Sequence, residues 1–95
     1  MEKVNITIGS VTFDYADYDA DNDVLRLSVG EPHGGECEET PELHVIRYAP
    51  GTYDILGLTM FNPRRILERD GSLTVTIPEQ AKASAEDLAP AFAAV

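Results

Sequence analysis

The sequence predicts an α+β domain: a single antiparallel β-sheet of five to six strands, laid out as meanders and hairpins, with one or two short helices, the last at the C-terminus. Period-two alternation of apolar and polar residues recurs along the chain, whereas a 3.6-residue period is rare. Gly, Pro, Asn and Asp punctuate the alternating runs at the short spacings that hairpins require.

Val4-Asn5-Ile6-Thr7-Ile8 alternates, with β-branched residues at its apolar positions, and Gly9-Ser10 then permits a turn or bulge. Val11-Thr12-Phe13-Asp14-Tyr15 resumes the alternation. Residues 17–23, acidic at every second position, read as a turn, and residues 24–29 as a strand with Leu25, Leu27 and Val29 on one face and Arg26 and Ser28 on the other. Residues 30–41 read as a polar loop. Two strands, residues 43–48 and 53–61, flank Ala49-Pro50-Gly51-Thr52 and form the most secure hairpin, because Pro presets one turn position and Gly supplies positive φ at the next. Gly57 interrupts the second of these strands and marks a bulge or a close backbone approach.

Asn62-Pro63 offers an N-cap followed by proline at the first helical position, so residues 64–69 are expected to form one or two helical turns. Asp70-Gly71 signals a turn before the last strand, Leu73-Thr74-Val75-Thr76-Ile77, which Pro78 ends. In the alanine-rich tail, Ser84 stands at capping-box spacing from Asp87, and Leu88 and Phe92 share a helical face. Pro90 limits that helix to a short or kinked one.

The chain has 95 residues, too few for two independent cores, so residues 1–95 form one domain. Such a domain buries only roughly 60–65% of its unfolded surface, which leaves a thin stability margin. Lys and Arg number 7 against 17 Asp and Glu, a net charge of −10. That balance argues against nucleic acid, which needs a basic face, and against anionic membranes. No apolar run approaches the ~20 residues of a membrane span. The opening Met1-Glu2-Lys3-Val4 lacks a signal-peptide core, and the single Cys37 excludes an intrachain disulfide, so a cytoplasmic setting is expected. Scarce Lys beside abundant Ala and Asp suits a GC-rich bacterium.

Tyr18, Asp19, Asp23, Val24, Leu25 and Leu27 follow a pattern of a Tyr-Asp pair, three mostly polar residues, Asp and an apolar strand. With Val45-Ile46, Pro50-Gly51 and Ile55-Leu56-Gly57-Leu58, this resembles the bacterial and archaeal family called domain of unknown function twenty-two eighty-three. The likeness covers residues 15–62, and residues 63–95 are an extension that short members lack. Arg26 stands where the family commonly has an aromatic residue, Arg47 near a usual Asp, and Thr59 in place of a usual acidic residue. The resemblance implies a small antiparallel sheet and carries no catalytic role, because the family's activity is not established.

Asp17, Asp19, Asp21 and Asp23 place oxygen ligands at the first, third, fifth and seventh positions of a Ca²⁺ loop, with Val24 at the apolar eighth. The match fails at Asn22, where Gly is needed, and at Ser28, where a bidentate Glu belongs. An Asx-rich turn is the favoured reading and a site for Ca²⁺ or another divalent cation the alternative; no other cofactor is expected. His33, Cys37 and His44 match no zinc spacing. A Cys37 nucleophile is opposed by Glu36, Glu38 and Glu39, which disfavour the thiolate. No phosphate loop, dinucleotide fingerprint, G-x-S-x-G or H-E-x-x-H occurs.

Arg64, Arg65 and Arg69 gather beside a helix N-terminus and could hold a phosphate, a carboxylate or a partner, although pairing with the acidic surface is the ordinary reading. Tyr15, Tyr18, Tyr48 and Tyr53 fit edge-of-core packing first and an interface second.

These features favour a non-catalytic interaction module, acting as a homodimer or with a basic protein partner. It would use apolar sheet surface drawn from Leu56, Leu58, Met60, Ile46 and Tyr48. The alternative is a small-ligand or divalent-metal-binding protein or enzyme with its site at a subunit interface. Aspartates turned toward a shared cavity would favour that alternative, and solvated ones the interaction module.

Overall fold

The computed structural model describes residues 1–31, 34–52 and 54–94. His33 and Tyr53 lie outside the described residues. The chain forms β1 (Glu2–Ile8), β2 (Val11–Asp19), β3 (Val24–Ser28), β4 (Glu36–Glu39), β5 (Val45–Tyr48), β6 (Ile55–Phe61), α1 (Pro63–Asp70), β7 (Ser72–Thr76), β8 (Gln80–Ser84) and α2 (Ala85–Phe92). Six strands make an antiparallel sheet in the order β1-β2-β3-β6-β5-β4, and β7 and β8 form a separate two-stranded hairpin. The architecture is α+β, with its last helix at the C-terminus.

Period two determines which side chains meet. Ala16 pairs with Leu27 and Tyr18 with Leu25 across β2 and β3, while Leu25 pairs with Met60 and Leu27 with Leu58 across β3 and β6. These residues share one face and are buried with Ile6, Ile8 and Phe13. A second layer closes over them, bringing Leu67 from α1, Leu73 and Val75 from β7, Ala83 from β8 and Leu88 and Ala91 from α2. Each large apolar side chain so buried stabilises by about 1.5–3 kcal/mol. The opposite face is open in part, with Ser28 and Gly57 buried on it. Arg26 and Cys37 are exposed there, Val24, Val45, Arg47 and Thr59 are half-buried, and Phe61 is 40% exposed.

Three expectations are corrected. Asp17 and Asp19 lie in β2, and the turn spans only residues 20–23, because pairing with β3 runs on to Asp19 opposite Val24. The polar loop of residues 30–41 contains β4. The start of the alanine-rich tail forms β8, whose pairing with β7 from Ser72–Ser84 to Thr76–Gln80 overrides the low strand propensity of Ala, Lys and Gln. The small Ala81 also lets β8 approach the β1–β2 turn, where its Cβ would lie 3.3 Å from a Cβ placed on Gly9.

Both helices begin where expected. α2 carries the capping box: Ser84 Oγ accepts from the Asp87 N–H at 3.0 Å, and Asp87 Oδ2 accepts from the Ser84 N–H at 2.9 Å. Asn62 precedes α1 but makes no side-chain cap and takes the left-handed conformation, with φ 57°.

Candidate functional site

The four aspartates of the acidic run separate into different roles. Asp17 forms an ion pair with Arg26 at 3.4 Å. Asp19 accepts from the Asn22 backbone N–H at 3.3 Å and from the Asn22 amide at 2.8 Å, which hold its carboxyl below the usual range. Asp21 is exposed on the turn. Asp23 faces away from the other three, toward α1. Its Oδ1 accepts from the Tyr18 hydroxyl at 2.7 Å and from the Arg64 N–H at 3.3 Å, and its Oδ2 accepts from the Arg65 N–H at 3.3 Å. Among the described residues no three His, Cys, Asp or Glu side chains converge as metal ligands.

The α1 terminus, beside which Arg64, Arg65 and Arg69 offered an anion site as the lesser reading, already has Asp23. The helix dipole and the free N–H groups meet a carboxylate supplied by the chain itself. Arg64 lies over the rings of Tyr18 and Phe92, 5.2 and 5.0 Å from their centroids. Those rings meet edge to face at 4.9 Å. Arg69 turns away and makes two hydrogen bonds to Asp70, at 2.9 and 2.8 Å. The three arginines therefore do not form one cluster.

His44 is buried at 1% exposure just before β5. Its Nδ1 accepts from the Phe61 N–H at 3.1 Å, which places the proton of the neutral ring on Nε2. Burial pushes its pKa down, partly opposed by Glu42. Glu42 clamps the neighbouring loop to β7, accepting from the Thr76 N–H and hydroxyl at 2.8 Å each. Burial raises its pKa, but the bonds from Thr76 and Thr40 outweigh it and hold the carboxyl below its usual value.

The arrangement best suited to recognition lies at the β4 edge. β4 pairs only with β5, and all four of its residues are exposed. Alternate residues of such a strand turn their N–H and C=O groups outward. Glu36 stands opposite Tyr48 and Glu38 opposite Ile46 on the core side, while Cys37 opposite Arg47 and Glu39 opposite Val45 face the open side. Beneath this edge the sheet is wider than the layer that covers it, since α2 packs on β1, β2 and β3. The uncovered end is a groove of about 180 Å³ walled by Pro41, Ile46, Tyr48, Ile55 and Pro78, with Glu38 and Glu39 beside it.

The apolar set named from the sequence divides here. Leu58 and Met60 are 1% and 0% exposed under the second layer, whereas Ile46 and Tyr48 line the groove. The β4 edge escapes sequence reading because its acidic run shows no apolar alternation. The usable signal was the length of the connection from Gly30 to Pro41, long for so small a domain.

No family model, curated protein or solved structure matches the chain, so its own residues carry the functional reading.

Proposed function

We propose that this protein is a non-catalytic interaction module that takes an extended, basic segment of a partner protein along β4 and seats one apolar side chain of that segment in the adjoining groove. The supporting observation is a free strand edge bearing Glu36, Glu38 and Glu39 beside an apolar groove of about 180 Å³. Small-molecule sites usually run from about 300 Å³ upward, so this volume suits a single side chain. The unpaired backbone groups of β4 would supply affinity by strand addition, and the pattern of charge and groove would supply specificity.

Charge decides between a partner and a second copy. Two β4 edges pairing antiparallel would set glutamates of one against glutamates of the other, and directly opposed like charges destabilise a sheet. A segment alternating Lys or Arg with apolar residues removes that penalty. The net charge of −10 would also steer such a partner toward the molecule. Asp17, Asp19, Asp21 and Asp23 line neither that groove nor another of the cavities found, which favours the interaction reading over a metal site on the acidic turn.

The test is an amide chemical-shift titration with an alternating Lys-Val peptide carrying a central Leu. Saturable shifts at residues 36–39 and at Ile46, an affinity that falls steeply as salt is raised above about 0.15 M, and loss of binding in the Glu36→Lys, Glu38→Lys double variant are expected. Shifts scattered over the whole acidic surface, or binding indifferent to the double variant, would refute the reading.

A further inference from the structure

The open face of the sheet carries one arginine whose surroundings are shaped around it. Arg47 lies on β5, opposite Cys37 of β4 on one side and Gly57 of β6 on the other. Its side chain lies flat across the strands. A Cβ placed on Gly57 would come within 2.6 Å of Arg47 Nη2 and 2.9 Å of its Cζ, and a Cβ on Gly35 within 3.0 Å of its Cγ. Gly57 therefore keeps the sheet surface low under the head of this side chain, while Gly35 makes room first for the Tyr48 carbonyl, 2.6 Å from its added Cβ, and then for the Arg47 stem. The pairing irregularity between Arg47 and Tyr48 skips Leu56 next to this point, as β-bulges near binding sites do.

Held in this way, the guanidinium leaves one buried donor, Nε, without an acceptor among the described residues. Arg26 and Arg69 pair with Asp17 and Asp70, and Arg64 lies over two rings. A buried donor left without an acceptor is unfavourable and rare unless something else supplies the acceptor. A planar guanidinium offers Nε–H and Nη–H as a parallel pair, the geometry that matches two oxygens of one oxyanion.

We infer that Arg47, preorganised over Gly57 and Gly35, is the receptor for an oxyanion, a carboxylate or phosphate group, on the face of the sheet opposite the groove. Glu39 shares that face, opposite Val45, and sets a requirement on the ligand. The anion must meet Arg47 on the side away from Glu39, toward β3, where the neighbouring Gly57 and buried Ser28 carry no negative charge.

The experiment follows the Nε–H resonance of Arg47 in the ¹⁵N-labelled protein as inorganic phosphate or acetate is added to about 20 mM against chloride of matched ionic strength. Arg47→Lys assigns the resonance by removing it. A saturable downfield shift is expected at Arg47 while the Nε–H signals of Arg26 and Arg69 follow the chloride control. Response to acetate alone identifies a carboxylate ligand, and response to phosphate a phosphoryl group. Arg47→Gln keeps much of the stem and should abolish the saturable response of the neighbouring Gly57 amide. Gly57→Ala should weaken it at least about fivefold by lifting the head from its bed. Cys37, exposed and across from Arg47, gives a second readout. Its reaction with a dianionic disulfide reagent should slow in Arg47→Gln more than its reaction with a neutral one. An Arg47 signal that tracks the chloride control with both anions, or a Gly57 response unchanged in Arg47→Gln, overturns the inference.

Discussion

The carboxylate of Asp23 accepts a hydrogen bond from the backbone N–H of Arg65, 42 positions further along the chain. The same carboxylate also takes the Arg64 N–H, and the Asp23 carbonyl accepts from the Asn62 N–H at 2.8 Å. One residue at the end of a hairpin turn thus starts a helix that follows the neighbouring strand β6. Asn62, the local residue with the right chemistry, stands at φ 57° and makes no side-chain cap. Asp23 itself takes φ 52°, a conformation that Asn and Asp tolerate better than most residues.

Asp23→Ala should therefore destabilise by about 1–2 kcal/mol, the usual cost of a lost helix cap, with the Tyr18 hydroxyl also losing its acceptor. Asp21→Asn, on the exposed part of the same turn, should stay within about 0.5 kcal/mol of the parent. Urea denaturation of the two variants checks the contrast. Equal midpoints would show that Asp23 does not cap α1.

Tyr18 supplies a spectroscopic check on the same contact. Burial, then the hydrogen bond to Asp23 and its charge, push the Tyr18 pKa up to about 12, with Arg64 opposing. Because the folded value exceeds the ordinary 10.0, the stabilisation is full below pH 10 and is lost as pH rises toward 12. Phenolate absorbance should show one late-titrating tyrosine that disappears in Tyr18→Phe and titrates earlier in Asp23→Asn. An Asp23→Asn titration that overlays the parent would place the cause in burial alone.

His44 predicts a pH dependence of the opposite sign. Its folded pKa lies below 6.5, because burial disfavours the imidazolium. A proton on Nδ1 would also displace the Phe61 N–H. The stabilisation is therefore present above about pH 6.5 and declines as pH falls through the lowered value. Thermal melts between about pH 7.5 and 5.5 should show a falling Tm in the parent, and a flatter profile about a lower Tm in His44→Leu, where the Phe61 N–H stays unpaired at every pH. Parallel profiles would assign the decline to other groups.

Much of the fold is legible because alternation maps directly onto pairing. Leu25 and Leu27 meet Met60 and Leu58 as period two requires, and Leu73 and Val75 enter the core from β7. Gly57, an interruption with two readings from sequence, stands beside a pairing irregularity that skips Leu56 and under a close approach, by the Arg47 side chain first and the Leu27 carbonyl next. What stayed hidden depends on partners far apart in sequence. The helix cap comes from Asp23, β4 is a strand only because β5 pairs with it, and β8 only because β7 does. The groove needs Pro41, Ile46, Ile55 and Pro78 from separate segments, and no local pattern announces such a meeting.

Glu42 shows how one such distant contact can be weighed. Its two oxygens accept from the N–H and the hydroxyl of Thr76, tying the loop before β5 to the end of β7 beside the groove. In Glu42→Gln one oxygen becomes an NH₂ group, a donor that must face either another donor or a hydroxyl already able to accept. One bond to a charged acceptor is lost and the other becomes neutral, a cost of about 1–2 kcal/mol. The carboxyl is held below 4.5 in the fold, so its contribution is full above that pH and is lost as pH falls through the lowered folded value. Denaturation at about pH 7 should therefore separate parent from variant, and the gap should close as pH falls through that lowered value. Because Thr76 also lines the groove, the variant should loosen the pocket and weaken binding of the Lys-Val peptide. A gap that persists unchanged at low pH would mean that Glu42 acts by its shape and not by its charge.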